Sequence, residues 1–298
     1  MKILVTGASG LIGTALTAEL IKQGHTTVSA VRREPRRNDE VRWDPANGFI
    51  DPSAFEGVDA VIHLAGAGIG DKRWTNDYKR EILESRTKST ALLATTMASL
   101  DVKPKVFISG SAIGIYGDRH DETLNEKSAH GTGFLADVCE QWEAAAAPAV
   151  AAGIRTVFIR TGIVLTPKGG ALKKQLPLFK LGVGGKFGNG KQWQSWISIN
   201  DEVNAIIHLL ASSLSGPVNL TAPSPVTNAT FTKTLASVVK RPALLPIPSF
   251  GPKALLGAEL ADALLFTGQF VTPDALLADG FSFEHPTLDL ALHALLKK

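Results

Sequence analysis

Residues 6–13 read Thr6-Gly7-Ala8-Ser9-Gly10-Leu11-Ile12-Gly13, three glycines at the spacing G-x-x-G-x-x-G. Before them stands the aliphatic run Ile3 to Val5. After them Ala15, Leu16, Leu20 and Ile21 fall on one side of a helical stretch from Thr14 to Gln23, which Gly24 ends. Without Cβ atoms in the way, backbone N–H groups and the helix N-terminus can approach a pyrophosphate, while the last glycine permits close helix–sheet contact. Three glycines alone also fit a flexible turn. The strand on one side and the amphipathic helix on the other select the dinucleotide reading. Gly7, Ser9, Gly10, Leu11, Ile12 and Gly13 are therefore the candidate cofactor contacts of the turn.

Working outward, apolar stretches at Thr26 to Val31, Val41 to Trp43 and Ala60 to Leu64 read as buried strands. A charged helical stretch, Trp74 to Leu100, precedes a strand at Lys105 to Ser109, and a helix from Phe134 to Ala152 precedes a strand at Thr156 to Ile159. This β-α alternation predicts an α/β fold, a doubly wound parallel-sheet Rossmann fold. Beyond Arg160, seven glycines between 169 and 190 together with Trp193 and Trp196 predict loop. A helix over Asn200 to Ser212 and a strand over Pro217 to Leu220 follow. From Thr227 the chain reads as mainly helical, with prolines at 242, 246, 248 and 252. The expected organisation is a Rossmann domain over 1–225, with a Gly/Trp-rich insertion near 166–196, and a smaller substrate-side lobe over 226–298.

The 298 residues are 44% hydrophobic and 20% charged, which excludes a disordered polymer. Lys and Arg total 31 against 28 Asp and Glu, and a net +3 gives no bulk field for nucleic acid. Cys139 is the only cysteine, so no intramolecular disulfide is expected, and the seven dispersed histidines give no metal-ligand spacing. The N-terminal apolar run is too short for a secretory signal, and Ala144 to Ala152, with Pro148, is too short to span a bilayer. These features predict a cytoplasmic protein with no metal, and neither nucleic acid nor membrane among its partners. They leave the oligomeric state open.

The second strand ends at Val31-Arg32-Arg33, where an NAD-selective site presents a carboxylate to the ribose. An arginine there pairs with a 2′-phosphate, so NADP(H) is the expected cofactor. Arg32, Arg33, Arg36 and Arg37 also fit a solvated loop beside Glu34 and Asp39. Leu64-Ala65-Gly66 supplies the small residues needed where backbone passes under a cofactor.

Taken together, Gly7 to Gly13, His63-Leu64-Ala65-Gly66, Arg73-Trp74-Thr75, Ser85-Arg86, Ser111-Ala112, Tyr116-Gly117, Trp142-Glu143, Arg160-Thr161-Gly162, Gly184-Gly185, Trp196-Ile197, Asp201, Pro217-Val218-Asn219, Thr272-Pro273 and Gly280-Phe281 carry a resemblance. The chain resembles the extended short-chain dehydrogenase/reductase superfamily. More narrowly, it resembles the atypical NAD-dependent epimerase/dehydratase-like oxidoreductases of the SDR39U type, essentially end to end. The resemblance implies an NADP(H)-binding fold whose substrate is undefined. It also implies cofactor contacts from Val31, Arg32, Leu64, Ala65, Glu81, Arg86 and Val164, to which Ser109 at the fifth strand's end is added. From the residues alone, the charges of Lys79, Arg80, Glu81 and Glu84 read as a solvated helical face.

Ordinary members of that superfamily use a Ser, a Tyr and a Lys four residues after the Tyr. The lysine lowers the tyrosine's pKa for proton transfer. Here the corresponding segment begins Gly133-Phe134-Leu135-Ala136-Asp137-Val138-Cys139. With Phe134 or Leu135 at the tyrosine position, the lysine position holds Val138 or Cys139, and the serine position falls on Ala112. The substitutes in reach are Tyr116 and Ser111, each of which reads equally as a structural residue. Cys139, in an apolar helical run, reads as an inert buried thiol. Lys168, Lys173 and Lys174, and Lys186, Lys191 and Arg73, are either a solvated face or a surface for an anionic substrate. Trp193 and Trp196 either wall a cleft or anchor the second lobe, and Ser198 stands where the resembled family commonly has histidine. Two functions stay open: an NADP(H)-dependent, epimerase-like oxidoreductase acting on a small carbonyl or hydroxyl compound, or a catalytically silent NADP(H)-binding sensor.

Overall fold

The computed structural model describes residues 1–296. β1 (Lys2–Thr6) runs through the Gly7–Gly10 turn into α1 (Leu11–Lys22). β2 (Thr26–Val31), β3 (Glu40–Asp44), β4 (Phe49–Ile50) and β5 (Ala60–His63) follow. Then come α2 (Asn76–Ser99), β6 (Val106–Ala112), β7 (Thr123–Leu124), α3 (Phe134–Ala144), α4 (Ala147–Ala151), β8 (Arg155–Thr161) and β9 (Ile163–Leu165). α5 (Gly170–Lys180), β10 (Trp193–Gln194), β11 (Trp196–Ser198), α6 (Ile199–Ala211) and β12 (Gly216–Leu220) continue the chain. β13 (Val226–Thr227), α7 (Asn228–Val239), α8 (Phe250–Leu256), α9 (Ala258–Ala261), β14 (Phe270–Val271), α10 (Asp274–Ala278) and α11 (Leu288–Leu296) complete it.

Eight strands form one sheet in the order β12-β8-β6-β5-β1-β2-β3-β4, parallel throughout except where β4 turns back on β3. Side chains alternate across it. Ile3 and Val5 pack with Leu16 and Leu20 of α1 and Ile206 and Leu209 of α6, whereas Leu4 packs on the opposite face with Leu93 and Met97 of α2 and Ala149 of α4. A strand covered on both faces must be apolar at every position, which is why β1 and β5 show no polar alternation. The chain leaves β1 for β2 on one side and later returns to β5 on the other. This reversal opens a crevice beyond the strands' carboxyl ends, between β1 and β5. Thr6 and His63 are in register there, so both strands finish together.

Three expectations are corrected. The glycine-rich stretch after Arg160 is not all loop. Leu172, Leu176 and Phe179 recur at helical spacing in α5 and bury in a core with Phe231 and Leu235 of α7, Leu288 and Leu292 of α11, and Trp196. The helix expected over 134–152 is two helices, because Pro148 has no N–H to continue the ladder across Ala145 and Ala146. The first helix begins at Leu11, three residues before the expected Thr14. Trp193 and Trp196 act as anchors. Trp196 is fully buried and donates from Nε1 to the Ser224 carbonyl (3.1 Å), and Trp193 donates to Asp121 (2.7 Å) and meets Phe270 edge-on. Ser198 caps α6, accepting from the Asp201 amide (3.1 Å), while Asp201 accepts from the amides of Glu284 (2.7 Å) and His285 (3.0 Å). The segment around Glu284 and His285 is thereby fixed to the start of α6.

Candidate cofactor site

The three glycines of the turn do different work. At Gly7, where φ is +70°, a Cβ would lie 2.8 Å from the Leu64 carbonyl carbon and 2.9 Å from the Ala65 nitrogen. At Gly13 it would lie 2.2 Å from the Gly7 carbonyl oxygen. Both are fixed by the protein's own backbone. Gly10 is exposed, and a Cβ there would meet nothing but the Gly7 oxygen, at 3.1 Å, so the space above it is left for something else. Gly10 also caps α1 without a side-chain hydrogen bond, and no acidic residue occupies the first turn. The amides that open a helix carry partial positive charge and need acceptors, so this end is suited to an anion.

At the end of β2 the arginines divide. Arg33 makes a two-pronged pair with Glu40 (2.8 and 2.7 Å), whose Oε2 also accepts from the Arg36 amide (2.7 Å). Those contacts hold the Glu40 carboxyl well below its ordinary range, at about 2, with Arg33 the main cause. Arg37 pairs with Asp39, and Arg42 with Glu34. Arg32 is exposed and makes no side-chain hydrogen bond or ion pair among the described residues, and the Arg36 guanidinium is likewise free. The acidic residue that organises this loop is thus Glu40, one strand away and invisible to a reading of the β2 terminus alone.

Leu11, Ile12, Leu64, Ala65, Gly66 and Val164 converge at the crevice. Ile12, Leu64 and Val164 share one apolar cluster, and Gly169, just before α5, packs directly on Leu11. Beneath Gly66 lies the Arg86 guanidinium, 3.2 Å from where a Cβ on Gly66 would stand. Arg86 is buried and stacks over the Trp142 ring (5.0 Å). It donates to the Ile82 carbonyl (2.9 Å), has no partner at Nε, and has no carboxylate partner among the described residues. Burial lowers its pKa, but a guanidinium stays charged in proteins, leaving a buried cation without its counter-charge. Glu81 is exposed and faces Lys72 (3.4 Å), Val31 ends β2 half-buried, and Ser109 is fully buried in register with His63.

His63 itself is sealed between Thr6 (2.6 Å at Nδ1) and Ser89 (3.0 Å at Nε2). Burial, reinforced by the Arg86 charge, pushes its pKa down to about 3, so it is a neutral strut joining β1, β5 and α2. The loop after β5 is pinned as well. Ser85 accepts from the Ala67 amide (3.0 Å), and the Tyr78 hydroxyl donates to the Gly68 carbonyl.

On the other side of the crevice five polar side chains are joined in one network, while the buried Glu202 beside the end of β8 accepts from Thr161 (2.8 Å) and leaves its second oxygen without a partner among the described residues. Ser111 donates to Glu143 (2.6 Å), Glu143 takes two hydrogen bonds from Arg160 (2.9 Å each), and Arg160 also donates to the Tyr116 oxygen (3.0 Å). The Tyr116 hydroxyl donates to Asn219 (2.7 Å), whose amide in turn reaches the Thr272 carbonyl (2.9 Å). β6 and β8 place Ser111 and Arg160 side by side in register. Burial opposes the Arg160 charge, Glu143 outweighs it, and the pKa is raised. Burial raises that of Tyr116 too, the reverse of what a proton-transferring phenol requires. Tyr116 is fully buried, and Ser111 donates its proton to Glu143 (2.6 Å). Cys139, pushed up to about 12 by burial, is inert. The Glu143–Arg160 link joins residues 17 apart in sequence, and nothing local in the sequence announced it. Among the described residues no cluster of three or more metal-ligating side chains occurs.

A parallel sheet with this order and an open glycine turn at its switch point defines a dinucleotide-binding Rossmann protein. Residues 3–220 match the NAD dependent epimerase/dehydratase family, and residues 247–295 match a domain of unknown function, DUF1731. The chain is 44% identical over 291 residues to Epimerase family protein MT2273 of Mycobacterium tuberculosis, covering 97% of this chain and 96% of that one. Its structure resembles the crystal structure of human epimerase family protein SDR39U1 (isoform2) with NADPH, at TM-score 0.89, 33% identity and 99% coverage of both chains. UDP-glucuronic acid 4-epimerase from Bacillus cereus in complex with NAD shares the fold, at TM-score 0.77 and 18% identity, covering 99% of this chain and 94% of that one. The chain belongs to the NAD dependent epimerase/dehydratase family, among its SDR39U1-type epimerase family proteins.

Proposed function

We propose that the protein binds NADP(H) in the crevice between β1 and β5 and acts as an epimerase-like oxidoreductase on a small carbonyl or hydroxyl compound. The observation that carries the cofactor half is the free Arg32 guanidinium at the end of β2, while its neighbours Arg33, Arg37 and Arg42 are engaged by carboxylates. The residues fit the group. The uncapped start of α1 and the space over Gly10 would hold the pyrophosphate, with Ser9, Leu11, Ile12 and Gly13 around it. Arg32, beside Val31, would take the 2′-phosphate, and Leu64, Ala65, Gly66 and Val164 would line the cofactor's path. Arg86, with an unpartnered Nε, is positioned to supply a fixed positive charge under Gly66. The human relative crystallised with NADPH supports the same choice.

When bound, NADP(H) supplies the hydride chemistry. α8 and α9 lie against the loop before α2 and the start of α2, where Arg73 donates to the Leu255 carbonyl (2.9 Å) and Lys79 of α2 pairs with Glu259 (2.6 Å). The sealed state of Tyr116 favours a second reading, a silent NADP(H) sensor. Hydride exchange between bound nicotinamide and a trapped carbonyl compound rejects that reading. The primary test is a paired titration of wild type and Arg32→Ala with NADPH and NADH, followed by nicotinamide fluorescence. Arg32→Ala is expected to weaken NADPH about ten- to a hundredfold, as loss of a charge-assisted phosphate contact does, with NADH held within about twofold. Equal losses for both nucleotides would overturn the assignment.

A further inference from the structure

The small net charge conceals a segregation. Residues 144–258 contain twelve Lys and Arg but only Asp201 and Glu202 as acids, whereas the rest of the chain has nineteen cations against twenty-six acids. Asp201 and Glu202 are fully buried. This segment therefore presents to solvent a surface with cations and no carboxylate. It runs from Lys168 beside the cofactor turn, along Lys173 and Lys174 of α5, to the far tip of the C-terminal region. There two loops are fastened into one body: Arg241 donates to the Lys180 carbonyl (3.1 Å), the Ile247 amide to the Lys186 carbonyl (2.7 Å), and Gly185 lies directly against the Leu245 carbonyl. From this tip Leu181, Val183, Leu244 and Leu245 project with 76%, 63%, 87% and 80% of their surface exposed. Lys180, Lys186, Lys233, Lys240 and Arg241 surround them, and none has a carboxylate partner among the described residues.

We propose that this tip docks the protein on an anionic lipid surface, the four aliphatic side chains entering the acyl boundary and the five cations meeting headgroup phosphates. The composition favours lipid over a protein partner. Protein interfaces are enriched in aromatics and Arg and depleted in Lys, whereas here four of the five cations are Lys and the projecting side chains are all aliphatic. Aliphatic side chains beside unpaired Lys and Arg are what interfacial binding to anionic bilayers uses. That no helix of the described residues is long and apolar enough to cross a membrane bears on spanning, not on surface docking. The sequence expectation of no membrane partner is revised by this proposal.

The test is co-sedimentation of the full chain with phosphatidylcholine vesicles and with vesicles containing about one-third phosphatidylglycerol, at low salt and at about 0.5 M salt. Two double variants are compared, Leu244→Ser with Leu245→Ser, and Lys240→Glu with Arg241→Glu, with NADPH binding as a check that each remains folded. Binding to the anionic vesicles is expected to exceed that to neutral ones by at least about tenfold, to weaken with salt, and to fall by about tenfold in each variant. Absence of binding to anionic vesicles overturns the proposal. So does full binding by the leucine variant, which would mean charge adsorption without insertion. Self-association abolished by the leucine variant, or binding to polyglutamate but not to vesicles, overturns it in favour of a second copy or an acidic protein.

Discussion

The two rims of the crevice handle their polar groups in opposite ways. On the side of β5, β1 and β2 the first amides of α1 have no side-chain cap, Arg32 has no carboxylate, and Arg86 leaves Nε unsatisfied beneath Gly66. On the β6–β8 side Ser111, Glu143, Arg160, Tyr116 and Asn219 form a closed chain in which each hydrogen-bonding group meets another. Buried or oriented polar groups without partners cost free energy unless a ligand supplies them. The open rim therefore suits the ligand of the proposed function, whereas the candidate substitutes Ser111 and Tyr116 are tied into the closed rim's hydrogen bonds.

The comparison breaks hardest at Arg160. Arg160→Met keeps most of the volume but leaves the half-buried Glu143 without its cation, with only Ser111 donating to it, which is expected to destabilise the protein by about 2–4 kcal/mol. Urea unfolding measures this, and a loss below about 1 kcal/mol would mean that the network is not holding β6 to β8. On the open rim, Gly13→Ala drives a Cβ into the Gly7 carbonyl oxygen, so the turn must shift. NADPH affinity should fall by about a hundredfold, about 2.7 kcal/mol, while Gly24→Ala, strained at its φ of +82° but with nothing near its Cβ, should cost stability and leave affinity unchanged. Equal effects would place the cofactor elsewhere.

His63 joins β1, β5 and α2 through Thr6 and Ser89, and its titration tests how tightly the strut is sealed. Its folded pKa, about 3, lies below the ordinary 6.5. Its stabilising contribution is thus fully present above pH 6.5 and is lost as pH falls toward 3, because the unfolded chain takes up the proton first. By pH 5 wild type should have lost about 2 kcal/mol more than a His63→Gln variant, each relative to its own value at pH 7.5. Parallel pH profiles of the two proteins would show that the ring is accessible.

What the sequence disclosed follows the range of the interactions. The glycine turn, the strand ends and the unpaired arginine position are local, so Gly7 to Gly13, Val31-Arg32 and Leu64-Ala65 could be read directly. Glu40 could not, because its role depends on β3 lying against β2. The Ser111–Glu143–Arg160–Tyr116–Asn219 chain draws on β6, α3, β8, the turn after β6, and β12, which only the sheet order brings together. α5 was hidden by glycines clustered at its two ends, although Leu172, Leu176 and Phe179 carry its period. The segregation of charge vanished in a sum of +3.

The smallest expected effect separates scaffold from catalyst most cleanly. Tyr116→Phe removes one hydroxyl that donates to Asn219 and accepts from Arg160 while leaving the ring in place. Arg160 keeps Glu143, and the Asn219 Nδ2 keeps the Thr272 carbonyl, so the loss should be about 1 kcal/mol rather than the cost of a broken ion pair. If Tyr116 is scaffold, NADPH affinity and the rate of hydride transfer to any accepted carbonyl compound stay within about twofold of wild type, as expected when no transition-state contact is removed. A phenol that moved a proton in that step would instead lower the rate by about a hundredfold or more. That result would require the closed rim to open during turnover.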